Sequence, residues 1–310
     1  MKVFVAGASG VIGRRLVPKL VEAGHEVTGM TRSESSAARI REAGAHAIMC
    51  DVYDGACLTQ AMRDAAPDAV VHQLTALPES FDVRKIDYEP TNRIRTEGTR
   101  NLIAAARAAG AGRMVAQNIS FMYAPEGGWV KDEGDRIDTD AADPFGTAVR
   151  ATENLERQVV GADEIDGLVL RYGFFYGPGT YYASNGNLAE ETRKRRQPIV
   201  GGGTGVFSFI HVDDAADATV AALDRGKPGI YNVTDDDPAR MADWTPDYAR
   251  AIGAKKPLKV PKFVARMAVG AAAVTWATQM RGASNEKAKR ELGWKPTYAS
   301  WRQGFREALG

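Results

Sequence analysis

Short apolar runs alternate with amphipathic stretches through the first half of the chain. "KVFVAGA" reads as a buried strand and "VIGRRLVPKLVEAG" as a helix that Gly24 ends. "HEVTGMTR" predicts a second strand, "SESSAARIREAG" a second helix with Ser33 as its N-cap, and "AHAIMCD" a third strand. "DAVVHQL" predicts a fourth strand, "TEGTRNLIAAARAAG" a long helix and "GRMVAQNIS" a fifth strand. "TAVRATENLERQVVG" then predicts another helix and "GLVLRYG" a sixth strand. The strands run nearly unbroken in Val, Ile and Ala, the pattern of strands covered on both faces. Strands alternating with helices predict an α/β fold, a Rossmann-type doubly wound parallel sheet.

The rhythm changes after "RYGFFYGPGT". Residues 178–205 are rich in Gly, Tyr and Arg and read as loops around one helix. "GVFSFIHVDDAADATVAALDRG" returns to a strand and a helix, and "GIYNVTD" to a strand. From about Asp235 the chain is mostly helical and broken by prolines. The expected organisation is a dinucleotide-binding domain of residues 1–177 and 206–234, with a smaller C-terminal substrate lobe of 178–205 and 235–310. The most apolar late stretch, "FVARMAVGAAAVTWATQM", is interrupted by Arg266 and too short to span a bilayer, so a packed or lid helix is expected.

Composition narrows the partners. A net charge of +1 gives no electrostatic case for nucleic acid or a membrane surface, which leaves a small-molecule substrate as the expected partner. Cys50 and Cys57 are too few for a disulfide framework and are expected to be reduced; neither has metal-ligand spacing to other residues. The N-terminus enters a strand at once, without the h-region of a signal peptide, and a cytoplasmic location is the expectation.

The chemistry starts at "VFVAGASGVIGRRL". Gly7 allows a tight turn, Gly10 lets the backbone approach a pyrophosphate, and Gly13 lets the helix pack close to the sheet. Ser9 adds a hydroxyl, and Val11 and Ile12 lie in the turn whose N–H groups meet the phosphates. The second strand ends in "GMTRS", with no carboxylate for a ribose 2′-OH. Arg32 can instead fork onto a 2′-phosphate, with Arg14 assisting, so NADP(H) is preferred over NAD(H). Asp51 and Val52 are placed at the adenine, and Leu74, Thr75 and Ala76 beside the adenosine and ribose. His72 lies inside a strand pattern and reads as a core histidine.

These residues carry a family likeness. With "GASGVIG", "CDVYD", "NRIRTEGTRNLIAAA", "LRYGFFYGPGT", "FSFIHVDDAADATVAAL" and "SNEKAKRELGWKP", the chain resembles the extended short-chain dehydrogenase/reductases, the group containing NAD-dependent epimerases and dehydratases. The resemblance implies a bound nicotinamide cofactor, a lobe that closes over substrate, and a homodimer paired through helices near 95–109 and 147–160. It also implies a Tyr-x-x-x-Lys pair, where "DPFGTAVR" here places Phe145 and Val149. Phe145 cannot exchange a proton, and Val149 cannot hold a ribose hydroxyl. The chain therefore reads as an atypical member.

Sugar-nucleotide members tend to carry an Arg before "FIHVDD", where this chain has Phe207 and Ser208. Together with Phe174, Phe175, Tyr176, Tyr181 and Tyr182, this predicts an apolar substrate pocket for an aromatic, polyketide-like or terpenoid-like molecule. Ser120 and Tyr123, just past the fifth strand, are the candidate proton donors, with Asn118 and Gln117 as candidate substrate or oxyanion contacts. The leading expectation is reduction of a small apolar carbonyl or enone. The alternatives are a redox-neutral epimerase, dehydratase or cyclase, and a non-catalytic nucleotide sensor.

Overall fold

The computed structural model describes residues 1–78, 80 and 87–309. Seven parallel strands form the central sheet: β1 (Lys2–Ala6), β2 (Glu26–Thr31), β3 (His46–Met49), β4 (Ala69–His72), β5 (Arg113–Ile119), β6 (Asp166–Tyr172) and β7 (Gly229–Val233). Their order is β7-β6-β5-β4-β1-β2-β3, so the chain reverses its direction of winding between β1 and β4. A crevice opens at the carboxyl ends of those two strands, where ligands bind in open α/β sheets.

Strand periodicity decides what each face carries. Val3, Val5, Leu168 and Leu170 face α1 (Gly13–Glu22), and a further helix, Val212–Asp224, shares that apolar cluster. Phe4, Val70, Met114 and Val169 face the opposite way, onto Leu58 and Met62 of the helix Gly55–Ala65. Leu102 of the helix Thr99–Ala109 and Leu155 of the helix Phe145–Val160 complete that second cluster. Ser33 caps the helix Glu34–Glu42 as predicted, its hydroxyl accepting from the Ser36 N–H.

Three segments differ from the sequence reading. The long helix before β5 contains a π-helical turn, Ile94–Gly98, in which the Thr99 hydroxyl donates to the Ile94 carbonyl. "GVFSFIHV" is two strands, not one. Val206–Phe207 pairs antiparallel with Ala239–Arg240, and Phe209–His211 pairs parallel with Phe174–Tyr176. They part at Ser208, whose hydroxyl bonds both the N–H and the carbonyl of Ala283. Finally, the helix Lys262–Gln279 kinks at Gly270 (φ 87°, ψ 171°); its first half buries Ala265 alone, and its second half buries Ala277 and Thr278. Phe263 and Met267 in the first half are 67% and 78% exposed. That half carries apolar residues on more than one side, so packing through Ala265 leaves Phe263, Val264, Met267 and Val269 in solvent. Among the described residues no helix is long and apolar enough to cross a membrane.

Candidate active site

The loop after β1 is shaped by close approach. Gly7 has φ +93°, and a Cβ there would lie 2.7 Å from the carbonyl carbon and oxygen of Gln73. A Cβ on Gly13 would lie 2.2 Å from the Gly7 oxygen. Helix α1 therefore starts hard against the turn. Among the described residues no side chain caps it, and while the Arg14 and Arg15 N–H groups bond the Gly10 and Ile12 carbonyls, those of Val11, Ile12 and Gly13 are left for an outside acceptor. A cavity of about 300 Å³ opens there, lined by Val11, Arg14, Arg15, Pro178 and Gly179. An uncapped helix start beneath a basic cavity fits a pyrophosphate.

Around it, Ser9 Oγ lies 3.5 Å from Thr31 Oγ1. Arg32 is exposed, with Nη1 4.0 Å from Asp51 Oδ2. A pair this long and open contributes under about 1 kcal/mol, so the guanidinium is available to a phosphate. Asp51 Oδ1 accepts from the Tyr53 N–H at 2.9 Å, and the Val52 carbonyl accepts from Asn101 at 3.0 Å, which fixes the loop after β3. Thr75 is exposed, Leu74 and Ala76 are half-buried, and the Ala76 N–H donates to Thr91. His72 is a core residue: Nδ1 accepts from the Leu74 N–H while Nε2 faces Thr99 at 3.2 Å. Burial first, then Arg95, pulls its pKa down to about 4, so it is neutral.

An aromatic group stands past β5. Phe121 stacks on Phe174 with ring centroids 4.2 Å apart, and Phe207 lies 5.1 Å from Phe174. Trp276 comes from the kinked helix to meet Phe121 at 5.9 Å and Phe145 at 5.7 Å. Ser120 beside Phe121 is buried, and its hydroxyl makes no hydrogen bond to a described residue. Phe121 and Trp276 were not among the predicted site residues. Phe121 follows Ser120 directly, which was a usable signal; Trp276 is distant in sequence and only folding brings it in. The Arg150 guanidinium, one residue past Val149, is exposed and tied to Asp143 at 2.7 Å.

Several predicted residues are engaged elsewhere. The Tyr123 hydroxyl donates to Asn232 Oδ1 at 2.8 Å and accepts from Arg171 Nη1 at 2.9 Å. Burial pushes its pKa up to about 12, against the pull of Arg171. Its hydroxyl is buried, with both hydrogen bonds made inside the protein. Asn118 is likewise sealed, its amide donating to Thr152 O and Glu156 Oε1. Asn118, Arg171 and Asn232 lie side by side on β5, β6 and β7, and Arg171 forms a two-pronged pair with Glu156 at 2.6 and 2.7 Å. Burial disfavours the Arg171 charge, but Glu156 and Tyr123 outweigh it and raise its pKa.

Gln117 is occupied by the Leu74 carbonyl. Phe175 points to the opposite face from Phe174 and packs on Tyr172, since neighbouring strand positions alternate. Tyr176 and Tyr182 are buried in the aromatic core of the smaller lobe. Tyr181 reaches across to donate to the Pro78 carbonyl. Of the predicted aromatic set, Phe174 and Phe207 join the Ser120 end of the site.

A family model described as the NAD dependent epimerase/dehydratase family matches residues 3–234. A 3-diazoavenalumate denitrifying reductase from Streptomyces sp is 46% identical over 98% of this chain and 99% of its own length. A 2-alkyl-3-oxoalkanoate reductase from Stenotrophomonas maltophilia (strain K279a) is 29% identical over 87% of this chain and 82% of its own length. A UDP-glucose 4-epimerase structure with UDP-glucose, from Thermotoga maritima, superposes with a TM-score of 0.77 at 20% identity, covering 100% of this chain and 97% of that one.

Proposed function

This chain belongs to the NAD dependent epimerase/dehydratase family, and we propose that it is an NADPH-preferring reductase that gives hydride to an electron-poor aromatic substrate without protonating it. Replacement of a diazo group by hydrogen is the reaction that fits best. The observation carrying this reading is that Phe145 packs on Trp276 where the family resemblance expects an acid, while Tyr123 is locked in a buried network.

Carbonyl reduction leaves an alkoxide, which calls for an acid close by. Loss of a diazonium group does not. The hydride forms the new C–H bond, the C–N bond breaks, and its electron pair leaves with N2; charge and atoms balance with no proton transferred. The 46% identical relative named as a denitrifying reductase supports this reading.

The chain's own residues divide the work. Gly7, Ser9, Gly10, Val11, Ile12 and Gly13 hold the pyrophosphate. Arg32, with Arg14 nearby, selects the 2′-phosphate. Asp51 and Val52 meet the adenine, and Leu74, Thr75 and Ala76 flank the adenosine and ribose. Bound NADPH supplies the hydride. Phe121, Phe174, Phe207 and Trp276 flank a flat ring and exclude water, and the Ser120 hydroxyl orients the substrate. Residues 1–177 and 206–234 serve the cofactor, and 178–205 and 235–310 the substrate.

The test is a phenolic diazo compound with NADPH deuterated at the transferring position. The expected result is N2 release, loss of absorbance at 340 nm, one deuterium on the ring carbon, and a rate that is flat across neutral pH. A second reading, reduction of a carbonyl or enone with Ser120 as donor, is favoured by the free Ser120 hydroxyl and by the oxoalkanoate reductase likeness. Turnover of ketones with no N2 release would select it. Turnover without change at 340 nm would overturn both in favour of a redox-neutral enzyme.

Arg32→Ala is expected to weaken NADPH binding by roughly 10- to 100-fold, the value of a charged hydrogen bond, and to leave NADH binding unchanged. Calorimetric titration with the two nucleotides measures it; equal losses for both would remove Arg32 from the 2′-phosphate.

A further inference from the structure

The first half of the kinked helix is exposed at every position but Ala265, and its surroundings share one sign of charge. No acidic residue lies between Asp247 and Glu286. Within that stretch Lys255, Lys256, Lys259, Lys262 and Arg266 are all exposed, and among the described residues none is paired with a carboxylate. The basic run after residue 192 adds to them. Arg195 donates to the Lys256 carbonyl at 3.2 Å and Arg193 to the Ile252 carbonyl at 3.3 Å, so the two segments are fastened together. Lys194 and Arg196 are offset by Glu190 and Glu191, but Arg195 has no acidic partner among the described residues.

Beside these cations are Leu258, Phe263, Val264, Met267 and Val269, with Phe263 and Met267 the most exposed. At about 100° per residue Phe263 and Met267 share one side of the helix, Val264 lies a quarter turn round, and Val269 is on the far side. Ala265, on the opposite side of the helix from Phe263 and Met267, is buried in the protein, so a single apolar edge is presented outward beside the unpaired cations. An apolar edge flanked by cations is the pattern of a helix lying in the plane of an anionic interface.

We propose that this lip is a membrane-surface contact, in which Phe263 and Met267 enter the headgroup boundary of an anionic bilayer while Lys255, Lys256, Lys259, Lys262 and Arg195 meet its phosphates. The helix does not cross the bilayer; its kink at Gly270 leaves the second half, with Trp276, in the protein. The +1 net charge of the whole chain conceals this local charge, because the compensating acids lie elsewhere.

The experiment is sedimentation of the full chain with vesicles of phosphatidylcholine alone, and of phosphatidylcholine with phosphatidylglycerol, in low and high salt. Binding is expected only to the anionic vesicles, and it should fall steeply with salt. Lys255→Glu with Lys256→Glu and Lys259→Glu should weaken it on the order of a hundredfold. Phe263→Ser with Met267→Ser should weaken it at least about tenfold, while NADPH binding and thermal unfolding stay as in the parent. No preference for anionic vesicles would overturn the proposal. So would unchanged binding by the Phe263→Ser, Met267→Ser variant, which would show charge adhesion without insertion. Self-association in the ultracentrifuge that this variant abolishes, without vesicle binding by the parent, would assign the lip to a second copy and overturn it too.

Discussion

Replacing Arg171 by Met is expected to cost the protein about 3–5 kcal/mol, because it strands Glu156 among apolar side chains. Arg171 and Glu156 are both almost wholly buried, and Arg171 also holds the Tyr123 hydroxyl that bonds Asn232 across the sheet. Removing one member therefore leaves a charge and two polar groups short of partners at once. Arg171→Met with Glu156→Met should recover much of the loss, since apolar groups of similar volume replace such pairs at little cost. Denaturant unfolding of the two variants measures this. Equal destabilisation by both would mean that packing, not the stranded charge, sets the effect. In either outcome the variant leaves the Gly7–Gly13 turn unaltered, so NADPH should still bind the folded fraction.

Installing the family's proton pair is expected to fail for a structural reason. Phe145→Tyr should be tolerated, because Phe145 is only half-buried and meets Trp276 edge-on. Val149→Lys should not. Val149 is fully buried, in a cluster with Met122, Tyr123, Ile137 and Ala283. A lysine there places an unpaired ammonium in an apolar site at a cost of several kcal/mol, a fall in Tm on the order of 10 °C for a chain of this size. The double variant should lose stability and gain no ketone-reducing rate. Stable folding together with a large gain in that rate would show that position 149 opens onto the cofactor and that the native protein merely lacks a catalyst. That result would also remove the argument for acid-free chemistry.

The turn after β1 was legible in the sequence because its signals are local. Gly7 must take a positive φ and Gly13 must touch the Gly7 carbonyl, and both requirements act within a few residues of chain. The Ser33 cap and the neutral core role of His72 were readable for the same reason. The polar residues just past β5 were legible only in part. Ser120 keeps a free hydroxyl, but Tyr123, equally suggestive in sequence, is turned into the protein by Arg171 and Asn232, which are far away along the chain. A polar residue at an inward strand position, as Arg171 is in "GLVLRYG", was the available sign of such a network.

The aromatic residues make the same point. Their number implied an apolar pocket, but composition does not say which rings become core. Alternation along one short strand sends Phe174 to Phe121 and Phe175 to Tyr172, and the smaller lobe absorbs Tyr176 and Tyr182.

Sequence alone determined the βα rhythm, the glycine turn and the identity of Phe145 and Val149, because periodicity, backbone sterics and residue identity are properties of short stretches. Tertiary structure alone decided which polar atoms remain free for chemistry, that Trp276 meets Phe145, and that a basic, apolar lip faces outward. Those depend on which distant groups already satisfy one another, and a hydrogen bond or a burial is a property of both partners.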